Sequence, residues 1–163
     1  MLRRATIQDL HKIEYVFEEA LEEMRQNGSD DFQIEYLGDD AFKYGIENGY
    51  IYLKGIGTDI GGFIFISSNE ILNSSHIKWS RNVTGTSFHS ITINKNYKDR
   101  GIEEELIFLV EDISRKYRLN YVRGCVCELN TYTLDVMDKL NYRFVGYIRE
   151  NIKYPFRCYE KVL

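Results

Sequence analysis

The sequence predicts a mixed α/β (α+β) fold: a mostly antiparallel central sheet with one parallel strand–helix–strand crossover. Three observations predict it. Apolar runs of strand length alternate with stretches whose apolar residues recur at helical spacing. The run "TSFHSITIN", the helical stretch after it and the run "YVRGCVC" form a strand–helix–strand unit, the kind that joins parallel strands by a right-handed crossover. Flanking pairs of short strands then make the sheet mixed.

The elements follow in order. "LRRA" reads as a short first strand. Thr6 is placed as an N-cap, with Asp9 three residues on as a variant of the capping box. Ile13, Val16, Phe17, Ala20, Leu21 and Met24 then recur at helical spacing, and Gly28 closes that helix. Residues 38–48 hold a second short helix. "YIYLKG" and "IGGFIFIS" are two strands joined by a tight turn at residues 55–57. A polar stretch follows, with a strand edge expected at residues 76–79. After "TSFHSITIN" and a polar loop, Ile102, Leu106, Leu109, Val110, Ile113 and Tyr117 form one apolar helical stripe. "YVRGCVC" is a strand, and "NTYTLDVMDKLN" is a short helix capped by Asn130 or Thr131. "YRFVGYI" and "FRCYEKVL" are the last two strands.

The 163 residues, 44% hydrophobic and 28% charged, suit one folded domain spanning 1–163. A formal net charge of −4 gives no bulk attraction to nucleic acid, and no such partner is expected. No run is long enough to span a membrane, so no membrane partner is expected either. "MLRRATIQDL" has no apolar run after its arginines, so no signal peptide is expected and the chain is expected in the cytoplasm. Cys125, Cys127 and Cys158 lack zinc-ligand spacing and read as small buried apolar residues. His11 and His76 have no ligand partner at useful spacing, and no metal is expected.

The chemistry concentrates in "NKNYKDRGIEEELIFLVEDI", residues 94–113. A polar loop with one glycine runs into an amphipathic helix. Free N–H groups at a helix start and the positive end of its dipole can cradle a phosphate. Gly101 lets the backbone come close, and Lys98 and Arg100 add positive charge. The same residues also read as a turn and a capped helix whose glutamates complement the dipole. The surrounding order of elements favours the cradle. Glu103 sets its limit: pointing outward it is harmless, while pointing inward it repels a phosphate by roughly 1–4 kcal/mol at about 4 Å.

This order, with three local signatures, resembles the GNAT superfamily of N-acetyltransferases over essentially the whole chain. "ITINKNYKDRGIEEELI" is similar to the acetyl-CoA motif, a strand and loop followed by Arg/Gln-x-x-Gly-x-Gly/Ala at a helix start; here the pattern falls on Lys98, Asp99, Arg100, Gly101, Ile102 and Glu103. "NTYTLDVMDKLNYRFVGY" is similar to Asn-x-x-Ala…Tyr-x-Lys-x-Gly-Phe, with Asn130, Lys139 and Asn141–Tyr142 at its Asn, Lys and Gly-Phe positions. "FRCYEKVL" looks like the last strand of many small members.

The resemblance implies transfer of an acetyl group from acetyl-CoA, as co-substrate, to a primary amine of a small molecule or protein. It implies a homodimer as the assembly. Backbone groups at Ile91 and Ile93 would meet the pantetheine, and Asn130 would bond it or cap its helix. The amine must lose a proton, for which His89 and Glu128 are the candidates beside strand ends. The tyrosine that usually protonates the departing thiolate aligns with Met137, which has no proton to give; Tyr132 or Tyr142 would substitute. Asp30, Asp31, Phe32, Glu35 and Tyr36 lie where the family often walls the acceptor site. Glu103 and Met137 also motivate an alternative, a catalytically degenerate member that binds CoA or a protein partner as a sensor or interaction module.

Overall fold

The computed structural model describes residues 1–28, 40–68, 71, 74–149 and 155–163. Among these residues the strands are β1 (Leu2–Arg4), β2 (Ile51–Ile56), β3 (Asp59–Ser67), β4 (Thr86–Ile93), β5 (Tyr121–Cys127), β6 (Arg143–Ile148) and β7 (Phe156–Val162). The helices are α1 (Leu10–Gly28), α2 (Ala41–Glu47), α3 (Ile102–Lys116) and α4 (Thr131–Lys139). The strands form one sheet in the order β1-β2-β3-β4-β5-β7-β6. β4 and β5 run parallel, while the β1–β2, β2–β3, β5–β7 and β6–β7 pairs are antiparallel. The expected mixed, mostly antiparallel sheet with one strand–helix–strand crossover is therefore present. The chain divides into two compact units, Met1–Phe65 with Ile91–Leu106, and Ile66–Ser90 with Ile107–Leu163.

The first unit is built on the β1–β2–β3 meander. Its core holds Ile13 and Val16 of α1, Phe42 and Ile46 of α2, and Ile51, Leu53, Ile60, Phe63 and Phe65 of the strands. Phe17 and Phe42 meet edge-to-face at 4.9 Å, and Phe42 meets Phe63 the same way at 5.8 Å. Each fully buried ring or branched side chain contributes about 1.5–3 kcal/mol relative to exposure. Asp9 fastens the entry to α1: its carboxylate accepts the Thr6 N–H at 2.8 Å and takes both guanidinium nitrogens of Arg3 at 2.7 and 2.8 Å. That pairing holds Asp9 well below the usual carboxylate range. Because Asp9 folds back on Thr6, the first turn is a 3-10 turn over Ile7–Asp9, and the α-helix begins only at Leu10. The hairpin turn lies at Gly57 and Thr58, later than the sequence suggested, with Gly57 in the left-handed region at φ 59°. Gly55 instead belongs to β2, beside a register shift.

The second unit is centred on β5, whose seven residues are all buried, Arg123 among them. β5 pairs with β7 along its whole length, and with β4 over Thr86↔Val122, Ser87↔Arg123 and Phe88↔Gly124. All three cysteines are buried, and Cys125 lies opposite Cys158 across the β5–β7 pair. Burial pushes the Cys158 thiol up to about 12, which keeps it a neutral packing group.

Two expectations are corrected. Residues 76–79 are not a strand edge: a turn at Ser75–His76 leads into irregular backbone, where Ile77 N–H donates to Ser74 O at 2.9 Å and Trp79 N–H to Ile77 O at 3.0 Å. On α3, Ile102, Leu106 and Val110 are buried as expected, but Tyr117 is 58% exposed. α3 ends at Lys116, and Arg118 at φ 58° turns the chain away, so Tyr117 has left the stripe.

Candidate functional site

The loop from β4 to α3 lies in the first unit. Asn94 anchors its start: the buried side chain donates to Ile60 O at 2.9 Å, its backbone N–H donates to Gly61 O at 2.9 Å, and its Oδ1 accepts the Asn96 N–H at 3.0 Å. A 3-10 turn, Lys95–Tyr97, follows. Tyr97 donates its hydroxyl to Asp59 at 3.1 Å and presents its ring to the Arg100 guanidinium, 5.1 Å from the ring centre. Asp99 and Gly101 both adopt the left-handed region, at φ 59° and 72°. Alternating backbone of this kind turns successive N–H groups to one side and makes an anion-binding concavity. The first helical hydrogen bond found here is Glu105 N–H to Gly101 O at 3.1 Å, so the N–H groups before it have no acceptor within the helix. A Cβ on Gly101 would find open space, with nothing nearer than Glu104 Oε2 at 3.9 Å.

The charges around this loop are arranged in pairs. Lys98 Nζ donates to both oxygens of Glu23 on α1, and Lys95 pairs with Glu19 on the same helix. Lys54 of β2 pairs with Glu105. Glu103 is different. It is 4% exposed, and its Oε2 has no hydrogen-bond partner among the described residues. Burial pushes its carboxyl up to about 7, against the lowering effect of its own backbone N–H; Glu104 and Asp99 raise it further and Lys98 lowers it. The Glu103 side chain is thus folded into the protein and away from solvent.

The remaining candidates lie at strand ends of the second unit. His89 sits half-buried on β4, Nδ1 2.9 Å from Ser90 Oγ, and burial pushes its pKa down to about 4. The imidazole is therefore neutral at pH 7. Ser90 has φ 51°, a left-handed strand residue that is not glycine, and the β4–β5 register ends two residues before it at Phe88↔Gly124. Serine is not among the residues that favour that conformation, so its residue type does not announce it. Past β5, Glu128 N–H donates to Pro155 O at 3.0 Å, and the Glu128 carboxylate receives Arg157 Nη2 at 3.1 Å. Asn130 is the cap of α4, its Oδ1 accepting the Thr133 N–H at 3.3 Å. Tyr132 is 40% exposed on the first turn of α4, and Met137 is fully buried on the same helix. Tyr142 is buried too; its hydroxyl donates to Glu111 Oε1 at 3.3 Å, and burial next to that carboxylate holds the proton on it.

Ile91 and Ile93 belong to the first unit and are buried. Asp30, Asp31, Phe32, Glu35 and Tyr36 lie outside the described residues. His11 is exposed beside Glu14, and His76 Nε2 lies 2.8 Å from Tyr147 O. No helix among the described residues is long and apolar enough to cross a membrane. The sequence reading missed Glu160, which is 2% exposed on β7 and accepts the Tyr121 hydroxyl, the Ser80 N–H at 2.9 Å and Arg143 Nε at 2.9 Å. Its partners come from three separate segments, a grouping no local pattern reveals.

In sequence the chain matches no family model and none of the curated proteins. In fold it is similar to many solved structures. A GNAT-family acetyltransferase from Streptococcus agalactiae 2603 superposes with a TM-score of 0.83 at 21% identity, covering 100% of this chain and 95% of that one. A ribosomal-protein-alanine N-acetyltransferase from Brucella melitensis gives 0.70 at 14% identity, covering 100% and 99%. YncA from Salmonella typhimurium, solved with its cofactor acetyl-CoA, gives 0.68 at 10% identity, covering 100% and 93%. The fold is that of the GNAT acetyltransferases.

Proposed function

We propose that the chain is an acetyl-CoA-dependent N-acetyltransferase that moves an acetyl group to a primary amine of a small molecule or a protein. The observation that carries this reading is the loop before α3. Asp99 and Gly101 take the left-handed region just ahead of the helix start, and the space over Gly101 is open. A fold of this type binds acetyl-CoA in the Salmonella protein.

The loop fits an anionic group on one condition. Backbone N–H groups at Gly101, Ile102 and Glu103 suit a pyrophosphate, and Lys98 and Arg100 supply cations. The buried, partnerless Oε2 of Glu103 does not suit one while the carboxyl is ionised. The same carboxyl, pushed up to about 7, is neutral for part of the time at physiological pH, and then it can donate. In this reading Lys98, Asp99, Arg100, Gly101, Ile102 and Glu103 hold the pyrophosphate, and backbone groups of Ile91 and Ile93 hold the pantetheine. Acetyl-CoA supplies an activated acetyl thioester. Glu128 or His89 takes the proton from the attacking amine, and Tyr132 gives one to the sulfur as its bond to the acetyl carbon breaks. Burial pushes His89 down to about 4, so it accepts a proton weakly at neutral pH.

Calorimetric titration with acetyl-CoA, and with CoA for comparison, tests the reading. We expect micromolar binding, followed by release of free thiol in the presence of an accepted amine. Absence of binding at millimolar ligand would reject it. A second reading, a chain that binds CoA without catalysis, is favoured by Met137 lying fully buried where the family places a tyrosine. Binding with no turnover across a broad amine panel would select it.

A further inference from the structure

We propose that Glu103 couples ligand binding at this loop to proton uptake: its carboxyl enters the complex protonated and donates to a phosphate oxygen, so the pyrophosphate of the ligand arrives together with one proton. The inference rests on the acetyl-CoA reading above and deepens it by assigning a residue that sets affinity.

Two independent observations point the same way. The loop and the start of the 15-residue helix α3 form a concavity of backbone N–H groups, shaped by Asp99 and Gly101 in the left-handed region. In the first turn of that helix Glu103 is 4% exposed, its carboxyl lies within hydrogen-bond reach of its own backbone N–H, and its Oε2 lacks any partner among the described residues. A buried carboxylate oxygen without a donor is an expensive arrangement; a buried O–H awaiting an acceptor is relieved by a phosphate oxygen. The charges on the neighbouring elements do not offset an ionised form. On the loop and α3, Asp99 and Glu104 oppose it. Lys98 favours it but is held by Glu23 of α1, Lys95 is held by Glu19 of α1, Arg100 lies over Tyr97, and Lys54 of β2 is held by Glu105.

The direction of the linkage follows. The unliganded carboxyl titrates at about 7, and an adjacent phosphate raises it further. Between those two values the complex holds a proton that the free protein lacks. Affinity is therefore greatest below about pH 7 and weakens above it, approaching tenfold per pH unit, until the liganded carboxyl itself ionises.

The test is calorimetric titration with acetyl-dephospho-CoA, which keeps the pyrophosphate but lacks the 3′-phosphate that would titrate in the same range. Run at about pH 8 in two buffers of different ionisation enthalpy, it counts protons directly. We expect uptake approaching one proton for the wild type and close to none for Glu103→Gln, whose Kd stays flat from about pH 6.5 to 9. Glu103→Gly should behave as Glu103→Gln does, and the proton count on the wild type does not depend on how either variant folds. Binding without proton uptake, with the same pH profile in wild type and variants, would overturn the inference and leave the acetyl-CoA reading standing. Absence of binding by all three proteins at about pH 6.5 would overturn both.

Discussion

Lys98 Nζ donates to both carboxylate oxygens of Glu23, at 2.6 and 2.5 Å, so a cation of the loop between β4 and α3 is tethered to α1. The pair is well exposed, 43% and 38% by side chain, and is worth no more than about 1 kcal/mol. An arriving anion has to share Lys98 with Glu23. We expect Glu23→Gln to release the lysine and tighten acetyl-CoA binding by about two- to fivefold at low salt, with the gain fading as salt rises. Titrations at low and physiological ionic strength read this out. Equal affinity at both would mean that Lys98 does not reach the ligand.

Gly124 is small because Phe88 needs its space. A Cβ on Gly124 would meet the Phe88 ring well inside van der Waals contact, and that ring is fully buried and edge-on to Tyr142 at 6.0 Å. Gly124→Ala should therefore destabilise the protein by about 1–3 kcal/mol through overpacking. The urea midpoint should fall at an unchanged slope. Adding Phe88→Leu should recover part of the loss, because the two residues share one volume and their effects will not add. Simple additivity would show that the strain lies elsewhere.

Elements whose identity depends on periodicity were readable in the sequence. The strand at β5, the helical spacing of Ile13, Val16 and Phe17, and a cap at one of the two positions offered, Asn130, all place residues where the structure has them. The loop was readable as a turn into a helix because Gly101 precedes an amphipathic run, and Gly101 does take the left-handed region there. What stayed hidden depends on side-chain direction or on distant partners. A rotamer decides whether Glu103 faces solvent or core, and no spacing encodes it. His89 looks like an ordinary strand residue until burial lowers its pKa. Ser90 carries a positive φ that its residue type does not announce. Tyr117 continued the apolar period on paper, yet the helix had already ended.

Glu160 gives the protein a defined acid sensitivity. Burial alone would raise its pKa, but hydrogen bonds from Tyr121, Ser80 and Arg143 outweigh burial and hold it at about 2, against an ordinary 4.5. A carboxyl lowered by folding stabilises the native state above its unfolded pKa, and the stabilisation disappears as pH falls through the folded one. Stability should thus decline between about pH 4.5 and 2, by on the order of 2 kcal/mol from this group. Glu160→Gln should be the less stable protein at neutral pH and should approach the wild type at the acid end. Urea denaturation of both proteins across that range measures it; a constant difference would show that the carboxylate contributes no charge-dependent stability.

Glu103 should act on stability with the opposite sign, and no ligand is needed to see it. Its carboxyl is raised from 4.5 to about 7 by burial, so the folded state holds a proton that the unfolded chain releases. Stability then falls as pH rises through that window and levels off above it. Replacing the ionisable group removes the dependence, so the stability of Glu103→Gln relative to wild type should climb from pH 4.5 to 7 and reach a gain of about 2 kcal/mol. The comparison has to be a difference between the two proteins, because Glu160 and other carboxyls contribute to each curve alike and cancel. If the difference stays level from about pH 5 to 8, the carboxyl is solvated in the native state, and the proton coupling assigned to it at the loop falls as well.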